Sequence, residues 1–96
     1  MAGIILMAAE VLAHTPLCSC YENGDGTITC EGGFSDGSSA SGVMIKVTDK
    51  KGNILIKDKM DEYSEFTFDI PSSPYKVIFD AGPGHEVEIP DTQITE

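Results

Sequence analysis

From Thr27 onward the chain alternates apolar and polar residues with a period of two, and clusters of Gly, Pro, Asn, Asp and Ser interrupt that alternation every seven to twelve residues. Side chains on a strand point to opposite faces in turn, so such a pattern describes strands with one face buried, joined by turns. Thr27-Ile-Thr-Cys-Glu31 puts Ile28 and Cys30 on one face, and Val43, Ile45 and Val47 alternate with Met44, Lys46 and Thr48. Residues 49–53, Asp-Lys-Lys-Gly-Asn, supply a turn with a glycine for a positive φ, and Ile54 begins the partner strand of a hairpin. In Glu65-Phe-Thr-Phe-Asp-Ile70 the residues Phe66, Phe68 and Ile70 share a face, the strongest alternation in the chain, which predicts a central strand. Pro71 and Pro74 end it, because neither can donate to a ladder. Tyr75, Val77 and Phe79 form the next inward set, and Val87 and Ile89 the last before Pro90 and a polar tail. An open sheet of about six short strands would leave an apolar face wet, and two packed sheets bury both. The expected fold is all-β, a small antiparallel β-sandwich over residues 27–96.

The residues before it divide in two. Residues 1–13, Met-Ala-Gly-Ile-Ile-Leu-Met-Ala-Ala-Glu-Val-Leu-Ala, are apolar over too short a run to cross a hydrocarbon layer that needs about 20 residues. They read as a signal-like segment whose small residues at Val11 and Ala13 suit a signal peptidase, so that cleavage leaves His14 as the amino terminus. Residues 14–26 form a Cys-containing N-terminal region. Export, to a secreted, periplasmic or cell-surface location, permits one disulfide among Cys18, Cys20 and Cys30 and leaves one thiol over. Either Cys18 or Cys20 can pair with Cys30, closing a loop of about a dozen residues.

Charge narrows the partners. Sixteen Asp and Glu face six Lys with no Arg, a net charge of −10. Phosphate recognition needs clustered cations, so nucleic acid is excluded and anionic membranes are disfavoured, whereas cations, metal ions among them, are attracted. Catalysis finds no footing: neither histidine belongs to a nucleophile motif, and the carboxylates form no singled-out acid and base pair. Asn23-Gly-Asp25-Gly26 matches part of a calcium loop, but Tyr21 stands at the first ligand position and Gly32 where the bidentate Glu belongs, so it reads as a tight turn. With no Trp and three Tyr, a sugar-stacking surface has little to build on.

Several stretches carry a family likeness: Gly33-Phe-Ser-Asp-Gly, Ala40-Ser-Gly-Val, Val47-Thr-Asp-Lys-Lys-Gly, Phe66-Thr-Phe-Asp-Ile-Pro and Pro74-Tyr-Lys-Val. Together they resemble the carboxypeptidase-regulatory-like or transthyretin-like β-sandwich modules, which bind and support rather than catalyse. The segment Phe79-Asp-Ala-Gly-Pro-Gly-His85 is similar to one in secreted accessory proteins of nickel and cobalt uptake systems. Such proteins often carry an acidic residue and a glycine where this chain has Tyr63 and Ser64. The resemblance implies an exported, non-enzymatic module that assists transition-metal uptake beside a membrane transporter component, with a Ni or Co ion bound but not needed for folding.

The candidate ligands are His14, Cys18, Cys20, Cys30 and His85. A terminal histidine offers its amine and Nδ1 to one ion as a chelate, and imidazole nitrogen suits Ni, Co, Cu and Zn. Cys18 and Cys20 in a C-x-C spacing can aim two thiolates at that ion, with Cys30 as a third. His85 follows a Gly-Pro-Gly turn beside Glu86 and Glu88. The alternative is a structural or protein-interaction domain that docks a membrane or secreted partner, with the acidic residues Asp58, Asp61, Glu62 and Glu65 facing a cationic surface.

Overall fold

A computed structural model describes residues 15–96. Seven strands follow one another: β1 (Pro16–Glu22), β2 (Thr27–Phe34), β3 (Met44–Asp49), β4 (Ile54–Lys59), β5 (Glu65–Asp69), β6 (Tyr75–Asp80) and β7 (Glu86–Pro90), then a 3₁₀ turn over Asp91–Gln93. They form two antiparallel sheets, ordered β1-β2-β5 and β4-β3-β6-β7. The expected all-β class and paired sheets are what the chain adopts. The signal-like residues 1–13 and His14 lie outside the described residues.

The core is filled by the period-two sets. Ile28 and Cys30 from one sheet meet Ile45, Val47, Val77 and Phe79 from the other, all fully buried. Phe34 tilts against Phe79 with ring centroids 6.2 Å apart, and Phe68 meets Tyr75 edge-on at 6.5 Å. These two contacts fix how the sheets superpose. The ends of β2 and β6 lie together, so one end of the sandwich gathers the start of β1, the 35–43 loop, the 60–64 turn and the 81–85 turn. The opposite end gathers the 23–26 and 50–53 turns, the 70–74 loop and the 3₁₀ turn.

Three elements depart from the expectation. Residues 16–22, set apart above as a Cys-containing region, are the edge strand β1, paired along its whole length with β2 from Pro16 opposite Phe34 to Glu22 opposite Ile28. The strand predicted to be central, residues 65–70, is an edge strand: β5 pairs only with β2, and Ile70 lies beyond it and is exposed. Phe66 and Phe68 stack on each other at 5.8 Å, so the alternation marks a packed face and not a middle position. The central places belong to β2, β3 and β6. Finally, the tail called polar carries Ile94 into the core, and Thr95 C=O accepts from Glu22 N–H, tying the tail to the free side of β1.

One glycine is required by packing. Gly32 sits inside β2, and a Cβ built there would meet Phe79 Cε1 at 2.7 Å and Met60 Cε at 3.1 Å. The large Phe79 ring occupies the space that this missing side chain leaves.

Candidate functional site

The cysteines resolve into a staple and a spare. Cys20 and Cys30 are register partners with Cα atoms 4.0 Å apart, a narrow non-hydrogen-bonded antiparallel pair, and they form a disulfide. Bonded to each other, their sulfurs are not thiolates and offer nothing to an ion. Cys18 lies two residues before on the same inward face, half-buried against the core. Burial pushes its thiol up to about 11, because the apolar surroundings penalise the anion. A C-x-C spacing on one strand face thus gives here a disulfide beside a protonated thiol.

His85 is exposed in the 81–85 turn, where Ala81 N–H donates to its carbonyl and its own N–H donates to Gly82 C=O. Its Nδ1 lies 3.1 Å from Pro83 C=O. A carbonyl only accepts, so this contact suits the Nδ1–H tautomer, whose Nε2 carries the lone pair through which imidazole ligates a metal. Gly82, at φ +114°, makes room for this geometry.

The chain comes into the described residues at the same end. Thr15 N–H donates to Ser35 Oγ at 3.1 Å and Thr15 C=O accepts from Ser35 N–H at 2.9 Å, which anchors the start of β1 beside the 35–43 loop. His14 is one residue before that anchor and outside the described residues. Of the five candidate ligands, then, His85 stands at this end, the three cysteines sit along the β1 and β2 interior, and no three His, Cys, Asp or Glu side chains among the described residues converge on one point.

The acidic 61–64 turn stands at this end too. Asp61 Oδ1 accepts from Tyr63 N–H at 2.8 Å and Glu65 N–H at 3.0 Å. Ser64 adopts φ +62°, the left-handed conformation that glycine takes most readily, and its Oγ accepts from Ala40 N–H at 2.9 Å while its carbonyl accepts from Gly32 N–H. That leaves Tyr63 75% exposed at the tip, the most exposed large apolar side chain described.

Two hollows of some size open on the described surface. The bigger, about 590 Å³ at the opposite end, lies between the 50–53 turn, Tyr75 and Asp91. Its carboxylates are engaged in folding: Asp49 accepts from Lys51 N–H and Asn53 N–H, and Asp91 from Tyr75 N–H. The other, about 390 Å³, is a dip over Gly32 and Gly33 beside Cys18.

A further pattern escaped the sequence reading. Antiparallel register partners point to the same face, so the outward residues of the four-stranded sheet follow from its buried ones. Lys57 and Lys59 on β4 stand opposite Lys46 and Met44 on β3, which in turn stand opposite Ile78 and Asp80 on β6. Ile78 and Asp80 face Glu88 and Glu86 on β7. The face therefore runs from cationic at β4 to anionic at β7, a gradient visible in sequence only once the register is known.

No family model, no characterised protein and no solved structure matches this chain.

Proposed function

We propose that the chain is an exported, non-enzymatic β-sandwich module that binds a transition-metal ion, nickel or cobalt foremost, at the end of the sandwich where β1 begins, in the service of metal uptake. The observation that carries the reading is His85: its Nδ1 is committed to Pro83 C=O, which leaves Nε2 free at the end where the chain leads into Thr15. With cleavage after Ala13, the His14 amine and Nδ1 add a chelate one residue from that anchor. The Cys20–Cys30 disulfide supports an oxidising compartment and hence export; with those two sulfurs bonded and the Cys18 thiol kept protonated by burial, the ligands narrow to the two histidines. Transport itself is assigned in this reading to a partner component; no helix among the described residues is long and apolar enough to cross a membrane.

Native mass spectrometry of protein beginning at His14, with Ni²⁺, Co²⁺, Cu²⁺ and Zn²⁺, tests this. One ion per chain is expected, lost in His14→Ala and weakened in His85→Ala; no stoichiometric binding of any of the four ions sinks the reading. A docking role without cargo is the second reading, favoured by the exposed Tyr63 on its braced acidic turn. Under it, charge reversal at Asp61 and Glu62 abolishes partner association and the two histidine substitutions leave it unchanged.

A further inference from the structure

The charge gradient across the outer face of the four-stranded sheet has only one self-complementary use. We infer that this face is an interface between two copies of the chain, related by a two-fold axis that runs along the strands.

The pairing of the two faces requires no metal ion. The six lysines of the chain all lie between residues 46 and 76, on the four-stranded sheet or its 50–53 turn, although the net charge is −10. Of the lysines on the face, Lys46 lies 3.5 Å from Asp80 and Lys76 lies 3.0 Å from Glu88. Lys57 and Lys59 on the edge strand β4 are exposed and form no ion pair among the described residues, and Glu86 on the far edge β7 likewise forms none. A two-fold axis lying between two stacked faces can run along the strands or across them. Across the strands, it sets β4 over β4 and lysine over lysine. Along the strands, it sets β4 over the β7 of the second copy, keeps each cross-strand row in register with itself, and places Lys57 over Glu88 and Lys59 over Glu86, twice per dimer. Near the dyad the same operation sets Met44 over Asp80 and Ile78 over Lys46 of the second copy, so that each Lys46–Asp80 ion pair is covered by two half-buried apolar side chains.

Three of the four sheet edges, those of β4, β7 and β1, are guarded against pairing with another strand. Lys57 and Lys59 discourage another strand from pairing with β4, Pro90 ends β7, and the Thr95 carbonyl occupies part of the free side of β1. From strand spacing and rise, four strands of about five residues present roughly 300 Å². That is well under the roughly 800 Å² per partner of a tight complex, so the dimer is a weak one in rapid exchange.

Sedimentation velocity on the full chain over a range of concentrations tests the inference. Wild type shifts from monomer toward dimer mass as concentration rises to about 1 mM, in line with the small contact. Lys57→Glu with Lys59→Glu, and separately Glu86→Lys with Glu88→Lys, each weaken self-association by about tenfold or more. Mixing the two variants restores a dimer, because every facing pair is again of opposite sign. The second variant carries less net negative charge than wild type, so its loss of association separates local pairing from overall repulsion. Circular dichroism checks that both variants are folded, and recovery in the mixture confirms it independently. A wild type that stays monomeric at every concentration, a dimer indifferent to both charge swaps, or variants that fail to associate when mixed overturns the proposal.

Discussion

Gly32→Ala isolates the packing that holds the two sheets together. A methyl group at residue 32 meets Phe79 Cε1 at 2.7 Å, Phe79 Cζ at 3.1 Å and Met60 Cε at 3.1 Å. Phe79 is fully buried and leans on Phe34, so its ring has nowhere to withdraw, whereas Met60 ends in a flexible thioether that can move. Overpacking of this kind costs about 1–3 kcal/mol. Against it stands a gain of roughly 0.5–1 kcal/mol from replacing glycine in a strand interior, where it is entropically unfavourable. The clash wins, and a net loss of about 1–2 kcal/mol lowers the melting temperature by roughly 5–15 °C in a domain of this size. Urea unfolding of wild type, Gly32→Ala, Phe79→Leu and the double variant forms a cycle. The smaller leucine frees the space, so the glycine substitution becomes neutral or stabilising in the Phe79→Leu background, with a coupling of about 1 kcal/mol or more. A Gly32→Ala protein as stable as wild type, or an unchanged penalty in the leucine background, refutes the assignment of the clash to Phe79.

Three further outcomes follow from the same structure. Reducing the Cys20–Cys30 disulfide, whose cysteines are ten residues apart, removes about 2–3 kcal/mol of stability in the chain-entropy view, read as a lower urea midpoint with dithiothreitol and no shift in a Cys20→Ser/Cys30→Ser variant. Cys18 alkylates with iodoacetamide about a hundredfold more slowly at pH 8 than an unperturbed thiol, since its proton is held to about 11. Because the unfolded chain loses that proton first, this term is present below the usual thiol value near 9 and is lost as pH rises toward 11; Cys18→Ala abolishes that alkaline dependence. Asp49 behaves in the opposite sense: hydrogen bonds from the Asn53 side chain and backbone hold its carboxyl below its usual range, so its contribution is complete above the unfolded value and falls away on acidification through the lower folded one. Asp49→Asn flattens the acid limb of a stability-against-pH curve measured by thermal melts.

What the sequence disclosed was the alternation itself. Ile45 and Val47 are inward together with their register partners Phe79 and Val77, and a period of two contains that information. Strand position within a sheet is a different quantity. Residues 65–70 have the cleanest pattern yet lie at an edge, since the face they bury says nothing of how many neighbours they pair with. β1 escaped because its inward set, Pro16, Cys18, Cys20 and Glu22, holds no large aliphatic residue, while Leu17 and Tyr21 point outward. The cysteine spacing carried two meanings, ligand and staple, and only the pairing of Cys20 opposite Cys30 separates them. The orientation of His85 depended on a carbonyl two residues away, which a sequence names but does not aim.

The place of the staple within β1 also sets how the module responds to a pull. A load applied at Thr15 acts first on its two hydrogen bonds to Ser35 and then on the rungs that join Leu17 to Gly33 and Ser19 to Glu31, which can peel open one after another like a zip. At Cys20 the opening meets a covalent stop, and tension passes through the sulfur bridge into the middle strand of its sheet instead of peeling β1 away. The first few residues of the strand can therefore lift as a short flap while the body of the sandwich stays shut.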